Sequence, residues 1–263
     1  MTARSIEVDS VVSFIEKVTI LSRGSKNSES WFRGAGSSRF ALVPGLIWRG
    51  QRDWESNFVH SFLVNYQSYT LRPTNPWETF ALMQHHGLPT RLLDWTKSPL
   101  VALYFAATQT ADPNEKFSVW SLQPHDLNSH TMSLGEVHCP GGLDDRIIKT
   151  TVGEFNLDAY LPEALQRGEV LPLPEMPIAL ESPYSNSRIK SQQGCFTVHG
   201  SSSSPLTHYF GEQKPCKYLA RIDFPANLRK EVLQDLYSLG INEESIFQTL
   251  DSLCARICRE EIQ

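Results

Sequence analysis

The side chains of this 263-residue chain that could do chemistry gather in three short runs. Trp31-Phe32-Arg33-Gly34 sets an arginine beside a glycine, so a planar guanidinium and a backbone without a Cβ are presented together. Gln84-His85-His86-Gly87-Leu88-Pro89-Thr90-Arg91-Leu92-Leu93-Asp94-Trp95-Thr96 forms the second run. Its His85 is of the type that takes or gives a proton near neutral pH, and an Asp94–Arg91 pair would position it beside a cleft. The competing reading makes Arg91 and Asp94 a partly buried structural pair that pins the turn between a helix and a strand. The third run is Arg188-Ile189-Lys190-Ser191-Gln192-Gln193-Gly194-Cys195-Phe196-Thr197.

Other chemistries have no such grouping. His125, His130, His138 and Cys139 lie near one another in sequence, but their spacing matches no tight ligand pattern, so they read as scattered surface residues and no metal is expected. Cys254 and Cys258, one helical turn apart, could share a face as a pair, and two small apolar residues of a core helix explain them equally well. Neither a Gly-x-Ser-x-Gly elbow, a P-loop nor a Gly-x-Gly-x-x-Gly turn occurs. The net charge of -5 shows no basic excess that would attract nucleic acid over the whole surface. Five cysteines without a Cys-x-x-Cys pair suit a reducing compartment. A polar start and the lack of a long apolar run predict a cytoplasmic protein with no membrane segment.

The elements that must position these residues follow from periodicity. Apolar residues recur at helical spacing from Val8 to Leu21, predicting an opening amphipathic helix. Trp31 to Gly34 reads as a short strand entering a glycine turn. Trp54, Phe58, Phe62 and Tyr66 fall four apart, as the core-facing stripe of one helix would. Asn75-Pro76 is an N-cap with a first-turn proline, and Gly87 a stop, so Gln84 and His85 belong in a last turn. Ser98-Pro99 opens a second capped helix, apolar nearly all round and therefore buried. Phe117–Leu122, Cys195–His199 and Tyr218–Phe224 read as strands. The stretch from about 123 to 183 reads as irregular, with Pro177–Leu180 a short candidate element. Two closing helices carry Leu228 to Leu236 and Ile246 to Ile257. The expectation is one α+β domain over residues 1–263, a mixed or antiparallel sheet flanked by helices, with the motifs in about 30–200 and a helical part in about 225–263.

In their order the three runs resemble the pattern of the FRG family, whose motif order in turn resembles that of ADP-ribosyltransferases. The resemblance implies NAD as substrate and an ADP-ribosyltransferase-like fold, with a first-strand Arg and Gly, hydroxyl residues leading into a helix, and a Glu or Gln on a later strand. Carried onto this chain, those positions fall on Arg33 with Gly34, on Thr96 and Ser98, and on Gln193 with Gln192 as its alternate. Arg33 would grip the pyrophosphate or ribose, Gly34 would leave its amide and carbonyl open to the nicotinamide carboxamide, and Thr96 or Ser98 would bond the ribose. His85, Arg91 and Asp94 would stand beside the same cleft. Breaking the nicotinamide–ribose bond builds an oxocarbenium-like centre, and a glutamine orients a hydroxyl without supplying charge. Glu181 or Glu212 would supply the carboxylate if Gln193 is misaligned.

Two readings follow. The first is a mono-ADP-ribosyltransferase of toxin or anti-phage type, acting on an RNA, DNA or protein acceptor and needing a neutralising antitoxin partner. The second is a module that binds a nucleotide, nucleic acid or protein in the same cleft without chemistry.

Overall fold

The central strands of this protein are buried on both faces and come from short runs with little alternation, such as Phe117–Leu122 and Leu219–Phe224. The computed structural model describes residues 4–23, 29–70, 73, 75–109, 112–141, 147–150, 153–166, 168–181, 187–209 and 219–262. The strands are β1 (Arg4–Glu7), β2 (Trp31–Ala35), β3 (Leu92–Thr96), β4 (Phe117–Leu122), β5 (Ile147–Thr150), β6 (Gly153–Asn156), β7 (Ile178–Glu181), β8 (Gly194–Val198) and β9 (Leu219–Phe224). Among the described residues seven of them form one sheet in the order β1-β9-β4-β2-β3-β8-β7, and β5 and β6 form a separate hairpin. β1 runs parallel to β9 and the other neighbours are antiparallel, so the fold is α+β with a mixed sheet.

The helices are α1 (Val11–Arg23), α2 (Gly45–Trp48), α3 (Glu55–Asn65), α4 (Pro76–His85), α5 (Pro99–Thr108), α6 (Pro124–Met132), α7 (Ser187–Gln192), α8 (Leu206–Tyr209), α9 (Arg229–Ser238), α10 (Glu243–Phe247) and α11 (Leu250–Glu261). Register divides them between the two faces of the sheet. Phe32 pairs with Ser121 and Thr96, and Gly34 with Val119, so these residues share a face with Phe117, Ile222 and Phe224. There α1, α5, α9 and α10 build one apolar cluster over β2, β4 and β9. On the same face, α3, α4 and the turn at Leu157–Tyr160 build a second cluster over β3, β8 and β7. Trp31, Leu93, Trp95, Trp120 and Cys195 point the other way and pack with Leu127 and Leu206 from α6 and α8. The side chain of Asn128 in α6 pairs with both backbone groups of Ala179, giving partners to the edge strand β7.

Local chemistry sets the helix ends as the sequence predicts. Asn75 accepts from the Glu78 amide at 2.9 Å with Pro76 behind it, and Gly87 stands at φ +83° after α4. Other expectations change. Gly34 lies inside β2 and not in a turn; a Cβ there would stand 2.1 Å from the Ala102 carbonyl oxygen, so its role is to let α5 lie against β2. Trp54 is 57% exposed, because the helix that starts after it centres its buried face on Val59 and Tyr66. The last periodic run breaks at Gln248, φ +51°, into α10 and α11, each opened by a capping box. Cys254 and Cys258 are exposed on α11, not buried in the core. The irregular stretch holds α6, the β5–β6 hairpin and β7, whose short elements carry too few residues to show a period.

Arg91, 1% exposed, ties the second cluster together. Its Nε faces both oxygens of Glu55 at 2.8 and 2.9 Å, Nη1 donates to the His199 carbonyl at 2.8 Å, and Nη2 to the Tyr160 carbonyl at 2.6 Å. Each of its three nitrogens has an acceptor, which is what makes a buried guanidinium tolerable. The neighbouring His199 is fully buried, and burial above all, with Arg52 and Arg91 close by, pulls its imidazole down to about 3.

Two expected outcomes follow. Gly34→Ala lowers stability by about 1–3 kcal/mol through overpacking against α5, whereas Gly45→Ala, where a Cβ meets nothing within 4 Å, leaves the denaturant midpoint unchanged. For His199 the unfolded state holds a proton that the folded state lacks between pH 6.5 and about 3. Stability therefore falls as pH drops through that window, by up to about 1.4 kcal/mol per pH unit from this group. Urea midpoints measured against pH would show a shallower slope for His199→Asn than for the parent.

Candidate functional site

Strands β2 and β3 pair only at Phe32 and Thr96, then part. Arg33 bridges the opening, its Nη1 donating to the Asp94 carbonyl at 2.7 Å where a strand ladder would have continued. The parting opens into a pocket of about 200 Å³ between the two apolar clusters. β2 contributes Arg33 and Gly34, and β3 contributes Asp94 and Trp95. Gln84 and His85 come from the last turn of α4, Phe105 from α5, and Phe196 from β8. The remaining wall is α7, which brings Arg188 and Gln192.

The polar groups are oriented in series. Thr90 donates its hydroxyl to Gln84 Oε1 at 2.7 Å, which turns the Gln84 amide nitrogen toward Asp94 Oδ2 at 2.8 Å. The carboxylate of Asp94 is thus held by a fixed donor, and it is the one carboxylate on the pocket wall among the described residues. Burial pulls the Arg33 guanidinium below its usual range, with Asp94 acting in the opposite sense; an arginine stays charged nonetheless. Burial also lowers His85, helped by the positive charge of Arg188 and by His86 and opposed by Asp94, so its imidazole is neutral at pH 7. Two cations, one carboxylate and a neutral imidazole, framed by Trp95, Phe105 and Phe196, suit an anionic ligand that carries a flat ring.

Of the residues singled out from sequence, Arg33, Gly34, His85, Asp94, Thr96 and Gln192 meet in this pocket. The others stand elsewhere. Arg91, just before β3, serves the second cluster and pairs with Glu55; the expected Arg91–Asp94 pair does not form, because Asp94 within β3 is met by Gln84 instead. Gln193 is exposed at φ +49°, in the turn between α7 and β8, with its carbonyl accepting from the Lys97 amide at 3.1 Å. Ser98 caps α5, accepting from the Val101 amide at 3.4 Å. Thr96 lines the pocket, but its hydroxyl donates to the Gln192 carbonyl and accepts from the Ser98 amide, so it is already engaged. Glu181 is ion-paired with Lys97, which also reaches Glu29 at 3.1 Å. Glu212 lies outside the described residues.

Gly34 turns its Cα toward α5, so the lack of a side chain serves helix approach and not access by a ligand. Sequence reasoning missed Gln84, Phe105 and Arg188 as site residues. Gln84 and Arg188 stand in the quoted runs; the signal was present, but a glutamine that aims a carboxylate is recognised only once its own partner is seen.

An NMR titration should place the His85 imidazole below the ordinary 6.5 of a free histidine. Arg188→Ala should move it upward, since one positive neighbour is lost. An unchanged value in that variant would mean that Arg188 does not face the pocket.

No curated protein and no solved structure matches this chain. One family does, and its match takes in β2, α4, β3 and α5, hence Arg33, Gln84, His85 and Asp94 but not Arg188 or Gln192. Residues 28–115 match the model of the FRG domain, in agreement with the resemblance that the motifs carry.

Proposed function

We propose that the pocket takes the nicotinamide-ribose end of NAD and that the protein transfers ADP-ribose to a nucleic acid or protein acceptor. The observation that supports this most is the placing of the Asp94 carboxylate and the Arg33 guanidinium on facing strands of one opening in the sheet. A space of about 200 Å³ suits the reacting end of a dinucleotide, with the phosphates at its arginines and the adenosine outside.

In the reaction the bond from ribose C1′ to the nicotinamide nitrogen breaks, and its electron pair leaves with nicotinamide. Positive charge then spreads over C1′ and the ring oxygen, and a negative group fixed nearby favours it. Asp94, aimed by Gln84, is that group; neither Gln192 nor Gln193 carries charge. The acceptor nucleophile bonds to C1′ and passes its proton to the neutral imidazole of His85. Arg33, with Nη1 engaged by the Asp94 carbonyl, has Nη2 and Nε for phosphate oxygens.

A second reading, a module that binds a nucleotide without turnover, is favoured by one observation. At the third motif position the side chain that reaches the pocket is an amide, Gln192.

Nicotinamide release from NAD, measured with cell lysate and separately with RNA as acceptors, tests the choice. Asp94→Asn should cut the rate by roughly 10²–10³-fold, the scale of losing one preorganised electrostatic group, and Arg33→Ala should raise KM as well. A folded protein that binds NAD and releases no nicotinamide with any acceptor is the binding module.

A further inference from the structure

The wall formed by α7 is held in place from outside the pocket. Ser191 donates its hydroxyl to the Ile246 carbonyl at 2.8 Å, and Gln192 Nε2 approaches the same oxygen at 3.4 Å. The guanidinium carbon of Arg188 stands 5.0 Å from the centre of the Phe247 ring, and that ring meets Phe105 edge-on at 6.0 Å. One residue of α10 therefore touches both a pocket cation and a pocket aromatic.

Arg188 is otherwise uncommitted. Its Nε is buried without a hydrogen-bond partner, and it makes no ion pair with a carboxylate among the described residues. Lying over an aromatic face leaves the in-plane donors of a guanidinium available while fixing its plane. Arg33 has its own free donors on the β2 side of the same cavity. Two forks on separate walls exceed what a single phosphate needs, and Asp94 offsets only one of the two charges.

We propose that the pocket selects ligands bearing two linked phosphates, with Arg33 taking one phosphoryl group and Arg188 the other, and that Phe247 is the positioning residue for Arg188. This rests on the reading of the site as a nucleotide pocket and names the feature of the nucleotide that is recognised. Phe247 itself touches no ligand; it holds the Arg188 fork at the angle the second phosphate requires.

Calorimetric titration of the full chain with ADP, AMP and inorganic pyrophosphate tests this without requiring turnover. ADP should bind at least tenfold more tightly than AMP. Arg188→Ala should bring that ratio close to one, and Phe247→Leu should reduce it several-fold. Phe247→Tyr, which keeps the aromatic face, should restore it; a merely structural role for Phe247 would weaken ADP and AMP alike. A folded Arg188→Ala protein with an unchanged ratio, or a parent that prefers neither ADP nor pyrophosphate over AMP, overturns the proposal. The two readings separate cleanly. Discrimination that depends on Arg188 without nicotinamide release leaves this proposal standing and removes the transferase, whereas nicotinamide release with an unchanged KM in Arg188→Ala does the reverse.

Discussion

The distance between α5 and β2 governs much else in this molecule. At Gly34 the helix backbone comes so close that no Cβ fits, and the first apolar cluster closes over β2, β4 and β9. The second cluster closes over β3, β8 and β7 on the same face. A continuous ladder between β2 and β3 would press the two clusters together. Instead the strands hold at one residue pair and separate, and the gap is filled by polar groups that the sheet would otherwise exclude. The pocket is thus the seam between two cores, which explains why its walls alternate apolar rings with charged side chains.

Three arginines show how partner geometry divides one residue type among different duties. Arg91 has a nearby acceptor for each of its donor nitrogens and is inert in the chemical sense. Arg33 is half engaged, tied through one nitrogen to a backbone carbonyl that the parting strands expose. Arg188 has an aromatic face behind it and a buried nitrogen without a partner. Committed nitrogens fall in number from Arg91 through Arg33 to Arg188, so the gradient runs from structure toward ligand. Asp94 shows the same logic from the anionic side, because Gln84 fixes its direction without neutralising its charge.

Much of this was legible from residues. Proline-led helices with Asn75 and Ser98 as caps, and the strand at Phe117–Leu122, depend on local rules that act within a few positions. The gathering of Arg33, His85 and Asp94 is different: it is expected from the resemblance of the motif order to a family, and no local rule contains it. What local rules do not contain is which partner a side chain meets. Arg91 and Asp94 are three residues apart and look like a pair, yet one is claimed by Glu55 from α3 and the other by Gln84 from α4. Gln192 and Gln193 are adjacent and chemically alike, but the left-handed turn at Gln193 sends only the first into the pocket. Gly34 looks like a turn residue because the helix that forbids its side chain is built some seventy positions later in the chain.

The dependence of α7 on α10 also carries a meaning in time. The ribosome delivers Arg33 long before Phe247, which lies 214 positions further along the chain. At roughly 5–20 residues per second, the strands of the opening are exposed for something on the order of ten seconds or more before the aromatic support of Arg188 emerges. Once Asp94 has followed, a nascent chain in that interval has its carboxylate and its first guanidinium but no anchored third wall. The site is therefore completed only when α10 emerges, after every residue of the pocket walls has already been made.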